Sequence, residues 1–70
     1  MISDTVIHTV AFAVERKQIE VSLRQNPQGR FLRITECVSN HRDAIIVPAA
    51  GLQLLSNALN EMLEKDAELD

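Results

Sequence analysis

From Thr5 to Val14 the run TVIHTVAFAV is rich in β-branched residues, and Val6, Val10, Phe12 and Val14 fall on one alternating face, as in a strand. Ile7, Ala11 and Ala13 make the other face apolar too, so this strand is expected to be covered on both sides or to pair with a second subunit. Lys17 to Arg24 alternates strictly, with Ile19, Val21 and Leu23 on one side and Gln18, Glu20, Ser22 and Arg24 on the other, which predicts a strand with one wet face. Asn26-Pro27-Gln28-Gly29 supplies turn chemistry position by position: Asn is favoured first, Pro is pre-set for the second place, and Gly tolerates positive φ at the end. The returning strand, Arg30 to Cys37, puts Leu32 and Ile34 on one face and Phe31, Arg33 and Thr35 on the other. With Leu32 and Ile34 in the core beside Ile19, Val21 and Leu23, Phe31 and Arg33 join Arg24 and Ser22 on the wet face.

Val38 to Asp43 reads as a polar loop, and Ala44 to Val47 as a short fourth strand stopped by Pro48. From about Ala50 the period becomes helical. Leu52, Leu55, Leu59, Met62 and Leu63 form a stripe with Ala58 beside it and Leu54 at its margin, while Gln53, Asn57, Asn60, Glu61 and Glu64 cover the opposite side. The acidic residues 66–70 are expected to fray. The whole of residues 1–70 therefore reads as one α+β domain, a ββββα unit with a four-stranded antiparallel sheet and a C-terminal amphipathic helix.

Such a unit has a packing problem, because one helix covers one sheet face while both sheet edges stay open. Seventy residues with only two aromatic side chains also build a thin core. Small scaffolds usually gain security from disulfides, a metal or a partner. One cysteine makes no intramolecular disulfide, and Cys37, His8 and His41 show no ligand spacing, so neither a metal nor any other cofactor is expected. Self-association remains, and the pattern predicts a homodimer with strands or helices exchanged or packed across a two-fold axis.

Charge changes the picture in one respect. The net charge of −3 argues against nucleic acid, but it hides a segregation: residues 15–33 carry five cations against two acids, and residues 57–70 one cation against five acids. No apolar run reaches the length of a membrane span, the N-terminus lacks a signal-peptide pattern, and a lone thiol fits a reducing, intracellular compartment.

The segment ERKQIEVSLRQNPQGRFLRITE, followed by AIIVPAAG and a Leu-rich helix, resembles the PUR repeat of the Pur-alpha-like proteins, which bind purine-rich single-stranded DNA and RNA. Arg24, Gln25, Asn26, Gly29, Arg30, Phe31, Leu32 and Arg33 carry the likeness, as do Ile45, Ile46, Val47 and Pro48. The chain departs from the pattern at Ile19 and Glu20, where the family places aromatics. The resemblance implies a whirly-like fold in which two repeats intertwine, so a chain with a single repeat would form an intertwined homodimer. It also implies single-stranded nucleic acid as partner, a role in transcription regulation, and no catalysis, small-molecule substrate or membrane.

On this view Arg24, Arg30 and Arg33 neutralise phosphates, Phe31 stacks on a base, Gln25 and Asn26 hydrogen-bond bases or sugar, and Lys17 extends the patch. Plainer readings stand beside it. The arginines solvate a sheet face or pair with Glu20 or Glu36, Phe31 lies under a dimer partner, Asn26 and Gly29 serve the turn alone, and Lys17 begins a strand. The alternative function is a dimerisation or protein-interaction module of the same fold with weak or no nucleic-acid binding. His8, His41 and Cys37 are the candidates for a catalytic base or nucleophile, and they sit on different elements without a triad-like context, so an enzyme is not expected.

Overall fold

A computed structural model describes residues 4–69. Four strands, β1 (Thr5–Val14), β2 (Lys17–Asn26), β3 (Gly29–Val38) and β4 (His41–Pro48), form an antiparallel meander in the order β1-β2-β3-β4. A 3₁₀ turn (Ala49–Gly51) then leads into helix α1 (Leu52–Glu68). The ββββα order is the one the hydrophobic pattern predicts.

Tight turns make the strands longer than their apolar stretches suggest. Glu15 and Ser39 take φ of 55° and 53°, the positive φ that a two-residue hairpin turn asks of its first central residue. The second of these turns corrects the expected loop over Val38 to Asp43: Ser39 and Asn40 reverse the chain alone, and β4 begins at His41 instead of Ala44. The helix includes residues 66–68 of the segment expected to fray, and Asp70 lies outside the described residues.

The register sorts side chains into two unlike faces. One carries Val10, Phe12 and Val14 of β1, Ile19, Val21 and Leu23 of β2, Leu32 and Ile34 of β3, and Ile45 and Val47 of β4. The other carries Thr9, Ala11, Glu20, Ser22, Arg24, Phe31, Arg33, Thr35 and Arg42. A bulge between Val6 and His8 corrects the expected first strand, because the extra residue moves Val6 opposite Arg24 on the polar face, while His8, opposite Leu23, stays on the apolar face with Val10.

Neither the apolar face nor the helix stripe is covered. Val10, Phe12 and Ile45 are half exposed or more, Leu59, Met62 and Leu63 likewise, and α1 has no buried residue. The helix approaches the sheet only where it starts: a Cβ on Gly51 would meet Val47 Cγ1 at 3.0 Å. The Cα radius of gyration is 14.3 Å, against about 11 Å for a compact chain of this length. The accessible surface is 5999 Å², some 1,600 Å² above the roughly 4,400 Å² of a folded monomer of this mass. Leu32 is the one buried hydrophobic residue among those described.

Candidate nucleic-acid interface

The β2–β3 hairpin sets the geometry of the polar face. Asn26 Oδ1 accepts a hydrogen bond from the Gln28 backbone N–H at 2.9 Å, which closes the turn around Pro27, while Gly29 takes φ of 137° as the return strand begins. From there the register runs without a break from Asn26 opposite Gly29 to Gln18 opposite Cys37. Arg24 therefore stands opposite Phe31, Ser22 opposite Arg33, and Glu20 opposite Thr35, all on one side of the sheet.

Small residues let the arginines lie down on the sheet. Ser22 is 1% exposed; its Oγ accepts hydrogen bonds from Thr9 Oγ1 at 3.4 Å and Arg24 Nη1 at 3.5 Å. Arg24 keeps 17% of its side-chain exposure and approaches Asp4 at 3.9 Å, a loose ion pair. The Nε atoms of both Arg24 and Arg33 are sealed from solvent without a hydrogen-bond partner. A buried donor left unpaired costs roughly 1–3 kcal/mol. Two cationic groups are thus held on this face with unmet hydrogen-bonding capacity.

Two grooves cross the polar face, each of about 500 Å³. The one at the hairpin end is bordered by Asn26, Gln28, Phe31, Arg33, Ile46 and Pro48, with Phe31 partly buried and Pro48 opposite it. The other, toward the Glu15 turn, is bordered by Gln18, Glu20, Arg33, Thr35 and Arg42, with Ala11, Ala13 and Ala44 keeping it open. Arg33 borders both.

The seven residues singled out from sequence divide between the faces. Arg24, Phe31 and Arg33 come together on the polar face, with Asn26 at its edge and its Oδ1 committed to the turn. Gln25 and Arg30 are register partners on the opposite face, although Arg30 also borders the hairpin groove. Lys17 lies on that opposite face too, with its Nζ 2.9 Å from Glu36 Oε2. The Glu36 hydrogen bond and negative charge raise the Lys17 pKa above its ordinary value. Sequence reasoning misses Arg42 and Gln28: the polar run around Arg42 reads as a loop, and Gln28 as a turn residue only. Extending the β4 alternation back through Asp43 would have found Arg42.

His8 and His41 pair with Leu23 and Val38 on the apolar face, whereas Cys37 pairs with Arg42 on the polar one, so the three do not converge. No group of metal-ligating side chains occurs among the described residues, and no helix there is long and apolar enough to cross a membrane.

The sequence matches, over residues 2–70, the family described as PurA ssDNA and RNA-binding protein. It is 33% identical over 76 residues to Transcription factor Pur-alpha 1 of Arabidopsis thaliana, an alignment covering 97% of this chain and 26% of that protein. The chain thus spans about a quarter of the length of this curated relative. A ββββα meander built on the NPQGRFLR hairpin and matched along nearly its whole length belongs to the PurA family of single-stranded DNA- and RNA-binding proteins.

Proposed function

We propose that the chain is an intracellular single-stranded nucleic-acid-binding protein that acts as a homodimer, takes up purine-rich DNA or RNA on the polar sheet face, and carries out no catalysis. The observation that carries this reading is the convergence of Arg24, Phe31 and Arg33 on one face of the sheet. A single strand offers what that face lacks: phosphate oxygens as acceptors for the arginines and flat bases for the ring. Arg42 adds a further cation on the same side, and Gln28 a polar group beside Phe31. Lys17 and Gln25 lie outside the site, and Arg30 contributes from its rim. The name of the Arabidopsis relative, a transcription factor, supports a role in transcription.

The uncovered apolar surfaces support the homodimer. The sheet's apolar face and the α1 stripe both need cover, and in a two-fold pair the helix of each copy supplies it to the sheet of the other. The excess surface of about 1,600 Å² per chain gives about 3,200 Å² for a pair, within the range of obligate dimers.

Fluorescence anisotropy with a purine-rich single strand at low and moderate salt tests the binding, and sedimentation of the free protein tests the dimer. Salt-sensitive binding by a dimer is the expected result. Absence of binding at tens of micromolar protein contradicts it and leaves the dimerisation module.

A further inference from the structure

The groove nearer the Glu15 turn holds a carboxylate that phosphate neutralisation does not explain. Glu20 is exposed on the polar face, and its register neighbours are Ala11 and Thr35, neither of them charged. Among the described residues no ion pair engages it. Arg33 and Arg42 border the same groove, so the carboxylate sits between cations without being consumed by them. The Ala11 and Ala13 methyls leave room beside it in a space of about 500 Å³, ample for a flat heterocycle.

On a surface that only gathered phosphates, this negative charge would repel every strand equally. A carboxylate is an acceptor only, and single-stranded DNA presents N–H donors only on its bases. Adenine and cytosine each offer one exocyclic amino group on their pairing edge, beside acceptors. Thymine offers a single N–H flanked by two carbonyl oxygens, which a carboxylate repels. Guanine alone sets two donors side by side, N1–H and the N2 amino group, and these match the two oxygens of a carboxylate in a bidentate, charge-assisted pair.

We propose that Glu20 reads the pairing edge of an unstacked guanine in this groove, with Arg33 and Arg42 on the flanking phosphates. The inference rests on the reading of the polar face as a nucleic-acid surface and adds what that face selects. Glu20 lowers affinity for every sequence by its charge and restores it for guanine through two hydrogen bonds, so it acts as a specificity residue and not an affinity residue.

The test is anisotropy with three single-stranded DNAs of roughly 12 nucleotides, within the site sizes of single-strand-binding modules. One is an adenine tract with two central guanines, one replaces the guanines by inosine, which keeps N1–H and lacks the amino group, and one is adenine throughout. A bidentate base contact discriminates by about 5- to 150-fold, so the wild type is expected to prefer the guanine strand over the adenine strand by a factor in that range, with inosine intermediate. Glu20→Gln and Glu20→Ala are expected to bind the three strands alike and the adenine strand more tightly than wild type does. Glu20 is exposed and in no ion pair among the described residues, and circular dichroism is the check that the variants fold. A guanine preference that survives both substitutions, or a wild type without preference, overturns the role of Glu20 while leaving the polar face as a binding surface. Absence of binding to all three strands overturns that underlying reading as well.

Discussion

Arg24 and Phe31 are register partners across the β2–β3 hairpin, so a guanidinium group and an aromatic ring stand side by side on the polar face of the sheet. Two residues further along, Ser22 and Arg33 repeat the relationship with a small residue in place of the ring. In the proposed function this alternation supplies both charge to draw a phosphate backbone and a flat surface to hold a base.

The charge half of that statement predicts a salt response. Phosphate contacts release counterions, and on single strands each contributes about −0.7 to the slope of log K against log salt. Arg33→Ala is expected to weaken binding to a purine-rich strand and to flatten the slope by about that amount. Anisotropy titrations at several salt concentrations check it; weaker binding with an unchanged slope would mean that Arg33 touches no phosphate.

Leu59 tests the proposed dimer. It is 56% exposed in the single chain, where substitution should change stability by no more than about 0.5 kcal/mol. Buried against a second copy, Leu59→Ala should instead cost about 2–5 kcal/mol. Chemical denaturation at fixed protein concentration, with the midpoint rising as concentration rises in the wild type, separates the two cases.

Two backbone positions predict changes of opposite sign. Glu15 holds φ of 55° and Gly29 φ of 137°. A left-handed conformation costs a side-chain-bearing residue about 1–2 kcal/mol, so Glu15→Gly should raise the unfolding temperature. Gly29→Ala should lower it by straining the turn, although the space around Gly29 is open. Thermal unfolding followed by circular dichroism measures both.

The Lys17–Glu36 pair sets one pH dependence. Because the carboxylate raises the Lys17 pKa, the pair's contribution is fully present below the unfolded-state value of about 10.4 and is lost as pH rises through the higher folded-state value. Wild type and Lys17→Gln should therefore differ by a constant small amount through the neutral range and converge in strongly alkaline solution. A difference that instead varied between pH 6 and 8 would point to another titrating group.

The strand order, the hairpin and the division of β2 and β3 into two faces were legible because alternation along Lys17–Arg24 is strict and Asn26-Pro27-Gln28-Gly29 has one good solution. Arg24, Phe31 and Arg33 could accordingly be grouped from sequence. Gln25 and Arg30 were grouped with them by proximity along the chain, yet a period of two sends them to the other side. Val6 was misplaced because a bulge adds one residue without a sequence mark, and Arg42 because Ser39-Asn40 turns too tightly for the polar run around it to remain a loop. The stripe on α1 was plain in the sequence, but that it finds no cover within its own chain depends on where the 3₁₀ turn at Ala49–Gly51 sends the helix.

The proposed assignment of nucleic-acid binding to the polar face, and not to the apolar one, is tested most directly by comparing Phe31→Ala with Gln25→Ala for affinity to one purine-rich single strand. Loss of a stacking ring weakens binding by about 1–3 kcal/mol, roughly 5- to 150-fold. Phe31→Ala is expected to fall in that range while Gln25→Ala stays within about twofold of wild type. Full affinity in Phe31→Ala, with the loss appearing in Gln25→Ala, would contradict the account.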